Sequence, residues 1–422
     1  MKPAQKIFIG FVLILVIFLY FFRLQSVSRL KIPEGREITL KGRVSQQPYL
    51  KDSYQIIYLG PVFLETHRFP GYFYGDRLVV TGRFEKRVIN PFDTRYSAYF
   101  PDIQNAEEEG KEDFLFSFKG SLYNFRGRLE KVIAGVLPEP QASLMIGILL
   151  GVKKEMPENF LNNLRDTGTL HIIVASGYNL SVIAGFLVSF LVWLMNRKKA
   201  LVVAFLGVLF YTLMVGAEPP VVRAAIMAGL AYTAKYLGRM SDGLITLLVT
   251  AIIMLLLSPL ILFDIGFQLS LTATAGILLI QPLLKEVRFL RLPLVGDNLA
   301  TTLAAQVGVM PIILVNFGNL SWLSPLINAL VLPLIPLLMN LGGILVLFGL
   351  VSKLLAQVLG WLLWLPLTYF VKLIEFFGGW GWINFDIDRL SFWWALGYYF
   401  VLGVVLYWQW RKRWKLTEPR LF

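Results

Sequence analysis

The chain has no cysteine and only two histidines, His67 and His171, among 422 residues. Disulfides, thiolate nucleophiles, zinc fingers and iron–sulfur clusters are thereby excluded, and so is a metal site built on several imidazoles. No Gly-x-x-x-x-Gly-Lys run exists to cradle a nucleotide phosphate. Charge is scarce as well: 16% of residues are charged, against about 25% in an ordinary globular chain. The hydrophobic fraction is 56% and the mean hydropathy +0.63. A surplus of that size has to be placed in lipid. The sequence reads as a polytopic α-helical membrane protein that needs no cofactor.

The net charge of +13 invites a nucleic-acid reading until it is located. Much of the surplus lies in short loops and at Arg411, Lys412, Arg413 and Lys415, where the positive-inside rule accounts for it. Charge therefore sets topology here and does not by itself mark a DNA-binding surface.

Residues 1–22 read as a first transmembrane span, with Lys2 and Lys6 ahead of an apolar run. Residues 23–112 read as a small external β domain and an acidic linker. Arg36–Val44 alternates, with Ile38, Leu40, Gly42 and Val44 on one side. Tyr54–Leu59 and Arg77–Phe84 also have strand composition, bounded by Pro61, Pro70-Gly71 and Gly75-Asp76. Several short strands in so few residues suit an OB-like barrel, followed by the acidic run Glu107–Glu109, Glu112 and Asp113. Residues 113–140 read as an amphipathic interfacial helix with Lys119, Arg126, Arg128 and Lys131 on its polar face.

Residues 141–422 form the membrane domain, with spans expected near 170–195, 200–217, 221–238, 243–260, 264–281, 297–316, 323–350, 354–376 and 390–410. With the first span this makes about ten. Alternate loops carry the cations: Arg197, Lys198 and Lys199; Lys235 and Arg239; Lys285, Arg288 and Arg291; Lys353; and the basic C-terminus. The loops around 218, 261 and 319 have none, and that at 377–389 has only Arg389. The pattern predicts cytoplasmic N- and C-termini and a β domain outside a cytoplasmic membrane.

Polar residues at membrane depth each need an account. Ser176 and Asn179 share a helical face, whereas His171 lies about 140° away on a regular helix. The three converge only if the helix breaks, and Ser176-Gly177 is the natural place. Arg223 opens a span beside Ala224 and Ala225, which favours a buried arginine paired with Asp264 or Glu218. Asp264, Gln268 and Thr272 follow i, i+4, i+8 spacing, one polar stripe down a helix. Gln306, Pro311, Asn316, Asn328, Pro333, Pro336 and Asn340 interrupt later spans, as in discontinuous helices facing protein or water. Together these residues predict one shared polar cavity.

The ordered set resembles the ComEC family of competence DNA-uptake channels. The likeness rests on His171 through Ser176-Gly177, Arg223-Ala224-Ala225, Phe267-Gln268-Leu269-Ser270, and Gln306, Pro311, Phe317-Gly318, Asn328 and Pro333. Gly75-Asp76-Arg77 and Asn90-Pro91-Phe92-Asp93 are similar to the family's external domain. The resemblance implies a non-enzymatic channel passing single-stranded DNA inward during natural transformation. Its path would include His171, Ser176, Gly177, Asn179, Arg223, Asp264, Phe267, Gln268, Ser270, Gln306 and Asn328, with Phe267 and Tyr178 as base-stacking candidates. It also implies separate partners: an ATP-driven motor, DNA-capture proteins and, for any strand degradation, a nuclease. Where many members have a second histidine after Ser-Gly, this chain has Asn179. It also has no His-x-His-x-Asp run for a metallo-β-lactamase-like site.

Two other functions compete. One is transport of another polymer or a lipid-linked substrate on the same fold. The other is intramembrane serine proteolysis, since Val174-Ala175-Ser176-Gly177 resembles the rhomboid motif. That reading requires His171 and Ser176 to reach hydrogen-bond distance.

Overall fold

The computed structural model describes residues 15–26, 32–33, 37–51, 54–90, 93–106, 114–152, 156–173, 176–287, 296–380 and 384–417. The start of the expected first span, the acidic run from Glu107 to Asp113, and Arg288 and Arg291 lie outside them.

The first described element is the helix α1 (Leu15–Gln25). Arg23 donates to the carbonyls of Leu256 (3.2 Å) and Leu257 (3.3 Å), a cation at the C-terminal end of another helix. Eight strands follow: β1 (Glu37–Arg43), β2 (Tyr49–Lys51), β3 (Tyr54–Leu59), β4 (Val62–His67), β5 (Arg77–Arg83), β6 (Glu85–Asn90), β7 (Asp93–Tyr99) and β8 (Asp102–Asn105). They make a five-stranded sheet, β2-β3-β4-β7-β6, and a three-stranded one, β1-β5-β8. All the pairings are antiparallel except β4 with β7. Alternation is strict where it matters: Ile57, Leu59, Val62, Leu64, Leu78 and Val80 all point into one core. Buried Phe84 marks the step from β5 to β6, so one run of chain serves both sheets. Ser45 N–H donates to Tyr58 O at 2.8 Å, which brings the end of β1 to β3.

The remaining residues are almost wholly helical. In chain order they form α2 (Phe114–Ala134), α3 (Gln141–Leu150), α4 (Glu158–Asp166), α5 (Leu170–Ile173), α6 (Gly177–Leu194), α7 (Arg197–Val215), α8 (Pro219–Tyr236) and α9 (Gly243–Leu257). Then come α10 (Ile265–Leu284), α11 (Gly296–Asn316), the strand β9 (Asn319–Ser321), α12 (Ser324–Val331), α13 (Leu334–Gly349), α14 (Lys353–Gly378), β10 (Asn384–Asp386) and α15 (Phe392–Thr417). Among the described residues five helices, α6, α7, α10, α11 and α14, are long and apolar enough to cross a membrane. A sixth results if α12 and α13, bent by 43°, count as one span. The expected count of about ten is not reached on these grounds: the described parts of α1 and α9 are short, and α8 and α15 are not among the helices that qualify.

Every residue of α3 is buried. A helix that is apolar all round must be covered all round, and α2, α5, α13 and α14 do so. Helices α10 and α11 approach closely at Gly276 and Gly308: a Cβ on Gly276 would strike the Ala304 carbonyl, and one on Gly308 would lie 2.5 Å from the Thr272 carbonyl. Small residues let helices in lipid come together this way.

Contacts sort the loops into two ends. Lys198 lies over the Tyr236 ring at 5.5 Å, so the loops after α6 and α8 share one end with its lysines and arginines. At the opposite end Pro220 meets Gly266, and β9 pairs with β10. The β domain docks at this second end, through Arg126 between Gln47 and Met214 O.

That contact also corrects the expected polar face of α2. Arg126 is buried with Glu130, 3.5 Å away, and stacks 5.0 Å from the Tyr123 ring centroid. Burial lowers its pKa, opposed by Glu130, Tyr123 and Glu218. The helix is a junction between sheet and bundle; it does not lie on a surface with all its cations outward.

Candidate translocation site

The interruption expected at Ser176-Gly177 is present. Ser176 is the N-cap of α6, with extended backbone and its Oγ accepting from Asn179 N–H at 3.2 Å. Gly177 then faces α8. A Cβ there would stand 2.5 Å from Arg223 Nη2 and 3.4 Å from Ala224 Cβ. Glycine is thus what lets the guanidinium lie against the helix break.

Arg223 is 8% exposed. Its Nε donates to Ser270 Oγ at 2.6 Å and its Nη1 to Met227 Sδ at 3.2 Å. Among the described residues it makes no ion pair, which overturns the expected pairing with Asp264 or Glu218. Asp264 is instead an exposed N-cap, its Oδ1 accepting from Phe267 N–H at 2.8 Å. A hydroxyl and a thioether are neutral partners, so neither offsets the charge of the guanidinium.

The other residues divide. Gln268 Nε2 turns back to Leu262 O (2.8 Å) in the turn ahead of α10, and Thr272 donates to Gln268 O (2.8 Å), so both residues of the stripe bond to nearby backbone. Asn179 is buried and donates to Ile148 O at 3.1 Å, away from Arg223. His171 is exposed, with Nδ1 2.9 Å from Gly168 O. His171 and Ser176 therefore engage different backbone groups and form no Ser–His pair. Tyr178 is 43% exposed and reaches Leu332 O, at the α12–α13 bend, at 3.5 Å.

Gln306 and Asn328 belong to a second group. Gln306 Nε2 donates to Ser321 O (3.3 Å), and Asn328 Nδ2 donates to Ser324 Oγ (3.0 Å). Gly168 packs on Ser324 and Ser321, which ties this group to the backbone that holds His171. The shared cavity expected from sequence is thus two polar groups, one around Arg223 and one around Ser321 and Asn328, with Tyr178 between α6 and the bend.

Phe267 is 1% exposed and packs with Ala251 and Met254. It is a core residue and no stacking surface. Phe267→Ala should destabilise the protein by about 3–5 kcal/mol, read as a lowered melting temperature in detergent.

The β domain also presents rings that no sequence motif marked. His67 and Phe100 lie 4.7 Å apart, and Phe69 is 80% exposed. Beside them Arg87 stacks over Tyr99, centroid distance 5.7 Å, and hydrogen bonds to its hydroxyl. The signal was available as aromatic residues at strand ends, where alternation no longer requires burial.

Five helices long and apolar enough to cross a membrane, a buried arginine on α8 packed against α6 and α10, and a sheet domain at one end fit a multi-pass membrane protein. More particularly, the chain belongs to the Competence protein family, whose model matches residues 148–412. It is 25% identical over 232 residues to ComE operon protein 3 of Bacillus subtilis (strain 168), covering 55% of this chain and 29% of that protein. It is also 25% identical over 210 residues to the uncharacterized protein YcaI of Escherichia coli (strain K12), covering 47% and 28%. The chain thus spans less than a third of the length of the curated relatives it matches. No solved structure matches it.

Proposed function

We propose that this protein is a non-enzymatic conduit that passes single-stranded DNA across the cytoplasmic membrane during competence-related DNA uptake. The observation that carries the reading is Arg223: a buried cation with no carboxylate partner among the described residues, laid against a glycine at a helix break. Charge at membrane depth is costly and is retained for moving polar cargo, and each nucleotide of a strand brings one phosphate. Membership of the competence family supports DNA as that cargo.

In this reading the basic loops face the cytoplasm with both termini, and the β domain stands outside, at the end where it docks. The order of strands, with β4 parallel to β7 and β1 reaching β3 through Ser45, supports an OB-like barrel. Its exposed rings at Phe69, Tyr99 and Phe100, with Arg87 over Tyr99, suit base stacking. The bilayer is the second partner, and an ATP-driven motor, DNA-capture proteins and any nuclease act as separate proteins. The bent α12–α13 pair supports a sixth span, and α8, α9 and α15, which lie where further spans are expected, carry the reading toward about ten.

Two outcomes follow. In cells with this chain as their sole family member, its deletion should stop labelled DNA from reaching the cytoplasm. Normal DNA entry together with loss of another cargo would overturn the reading in favour of a transporter of a different polymer. Separately, Tyr99→Ala with Phe100→Ala should weaken binding of an oligothymidylate to the full chain in detergent by about 1–3 kcal/mol per lost stack.

A further inference from the structure

The second polar group contains more acceptors than donors. Gln306 Oε1, Ser321 Oγ, Asn328 Oδ1 and Asn384 Oδ1 are all buried with no hydrogen-bond partner among the described residues. Ser321 is 6% and Asn328 2% exposed. Each such orphan costs roughly 1–3 kcal/mol, so four gathered around one short strand need an account.

They are gathered by the chain path. Gln306 sits midway along α11, about 15 Å below its end at Asn316. Yet its Nε2 bonds Ser321 O, so after the turn at Gly318 (φ 70°) the chain folds back along α11 toward the middle of the bundle. Asn384 is paired with Ser321 in the β9–β10 ladder. Ser321 and Ser324 both press on Gly168, and Asn328 is bonded to Ser324. Non-helical backbone at that depth is tolerated only where it is covered by protein or lines a polar site.

The donor set defines the occupant. All four ligands are neutral oxygens, which suits a hard cation. The nearest carboxylate in the network is Asp166, whose Oδ1 accepts from Asn384 Nδ2 at 3.0 Å. Among the described residues no group of three or more His, Cys, Asp or Glu could hold a metal. One carboxylate at second remove does not offset a divalent charge, but neutral oxygens beside a broken helix suffice for a monovalent ion. We propose that Gln306, Ser321, Asn328 and Asn384 bind a dehydrated alkali cation, sodium or potassium, in the fold-back between α11 and α12. This site stands apart from Arg223 and does not depend on the nature of the cargo.

The test uses the full chain in lipid nanodiscs, melted in sodium, potassium or N-methylglucamine chloride at equal ionic strength. Binding to the folded state predicts a saturable rise in melting temperature with one or both alkali ions over N-methylglucamine. Asn328→Leu and Ser321→Ala should each weaken the apparent affinity about tenfold, the value of one lost polar ligand. Asn328→Asp, which adds a charge and retains the shape, should tighten it and admit calcium. Equal melting in all three salts would overturn the site and leave the oxygens to water. So would an ion-dependent rise that survives unchanged in Ser321→Ala and Asn328→Asp.

Discussion

Replacing Arg223 with leucine should cut DNA transfer about tenfold to hundredfold, the worth of a hydrogen bond to a charged group at roughly 1.5–3 kcal/mol, while leaving the folded protein as stable or more so. The two halves of that result belong together. Arg223 has no carboxylate partner among the described residues, so its removal strands no opposite charge. What is lost structurally is one bond to Ser270 and one contact to Met227. What is gained is relief from desolvating a guanidinium. A residue held for structure would give the opposite sign, with activity and melting temperature falling together. Arg223→Lys separates charge from shape: it keeps the charge but cannot span Ser270 and the Gly177 face, and should restore only part of the transfer. Gly177→Ala is the complementary change. Its Cβ would displace Nη2 from the break, so transfer should fall although Arg223 remains. Ser176→Ala loses one N-cap bond, about 1 kcal/mol, and should transfer DNA nearly normally, whereas a protease would be inactive.

The second large effect concerns topology and is close to all or none. The chain has no cysteine of its own, so single cysteines report cleanly. Lys41→Cys on β1 and Lys198→Cys at the start of α7 are both exposed positions, one on the β domain and one at the basic end of the bundle. An impermeant thiol reagent added to intact cells should label the first and spare the second until the membrane is opened. The reverse pattern would place the β domain in the cytoplasm and turn the end of the bundle that carries it to the wrong side for inward transfer.

Much of this was legible in the sequence, and the parts that were not share a cause. Strand composition in β1, β3 and β5 and the helix break at Ser176-Gly177 are local signals, readable over a few residues. The lysine and arginine asymmetry is global, but it needs only loop order. Arg126 was assigned to a polar face because helical spacing puts it opposite the apolar stripe. Its partners, Gln47 and the Met214 carbonyl, are 79 and 88 residues away and invisible to periodicity. Phe267 stands beside Gln268 in sequence but one helical step, about 100°, away around α10, which turns it into the core. The pairing of Arg223 with Asp264 failed for a related reason: an aspartate directly before a helix is satisfied as an N-cap by the nearest backbone N–H. Gln141–Leu150 is ten residues long, a length at which a core helix and a partial span look alike. Ser321 fell in the loop around 319 and Ser324 at the start of the expected 323–350 span, because no local pattern announces a chain that folds back.

The central claim is that a strand of DNA passes the break at Gly177 beside Arg223. Site-specific photocrosslinking tests it most directly, with a benzophenone side chain in place of Tyr178, at the break, or of Trp361, exposed on α14. During uptake of labelled DNA the account predicts crosslinks from position 178, lost in the Arg223→Leu background, and none from position 361. Equal labelling at the two positions, or none at 178 while DNA still enters the cell, would contradict it.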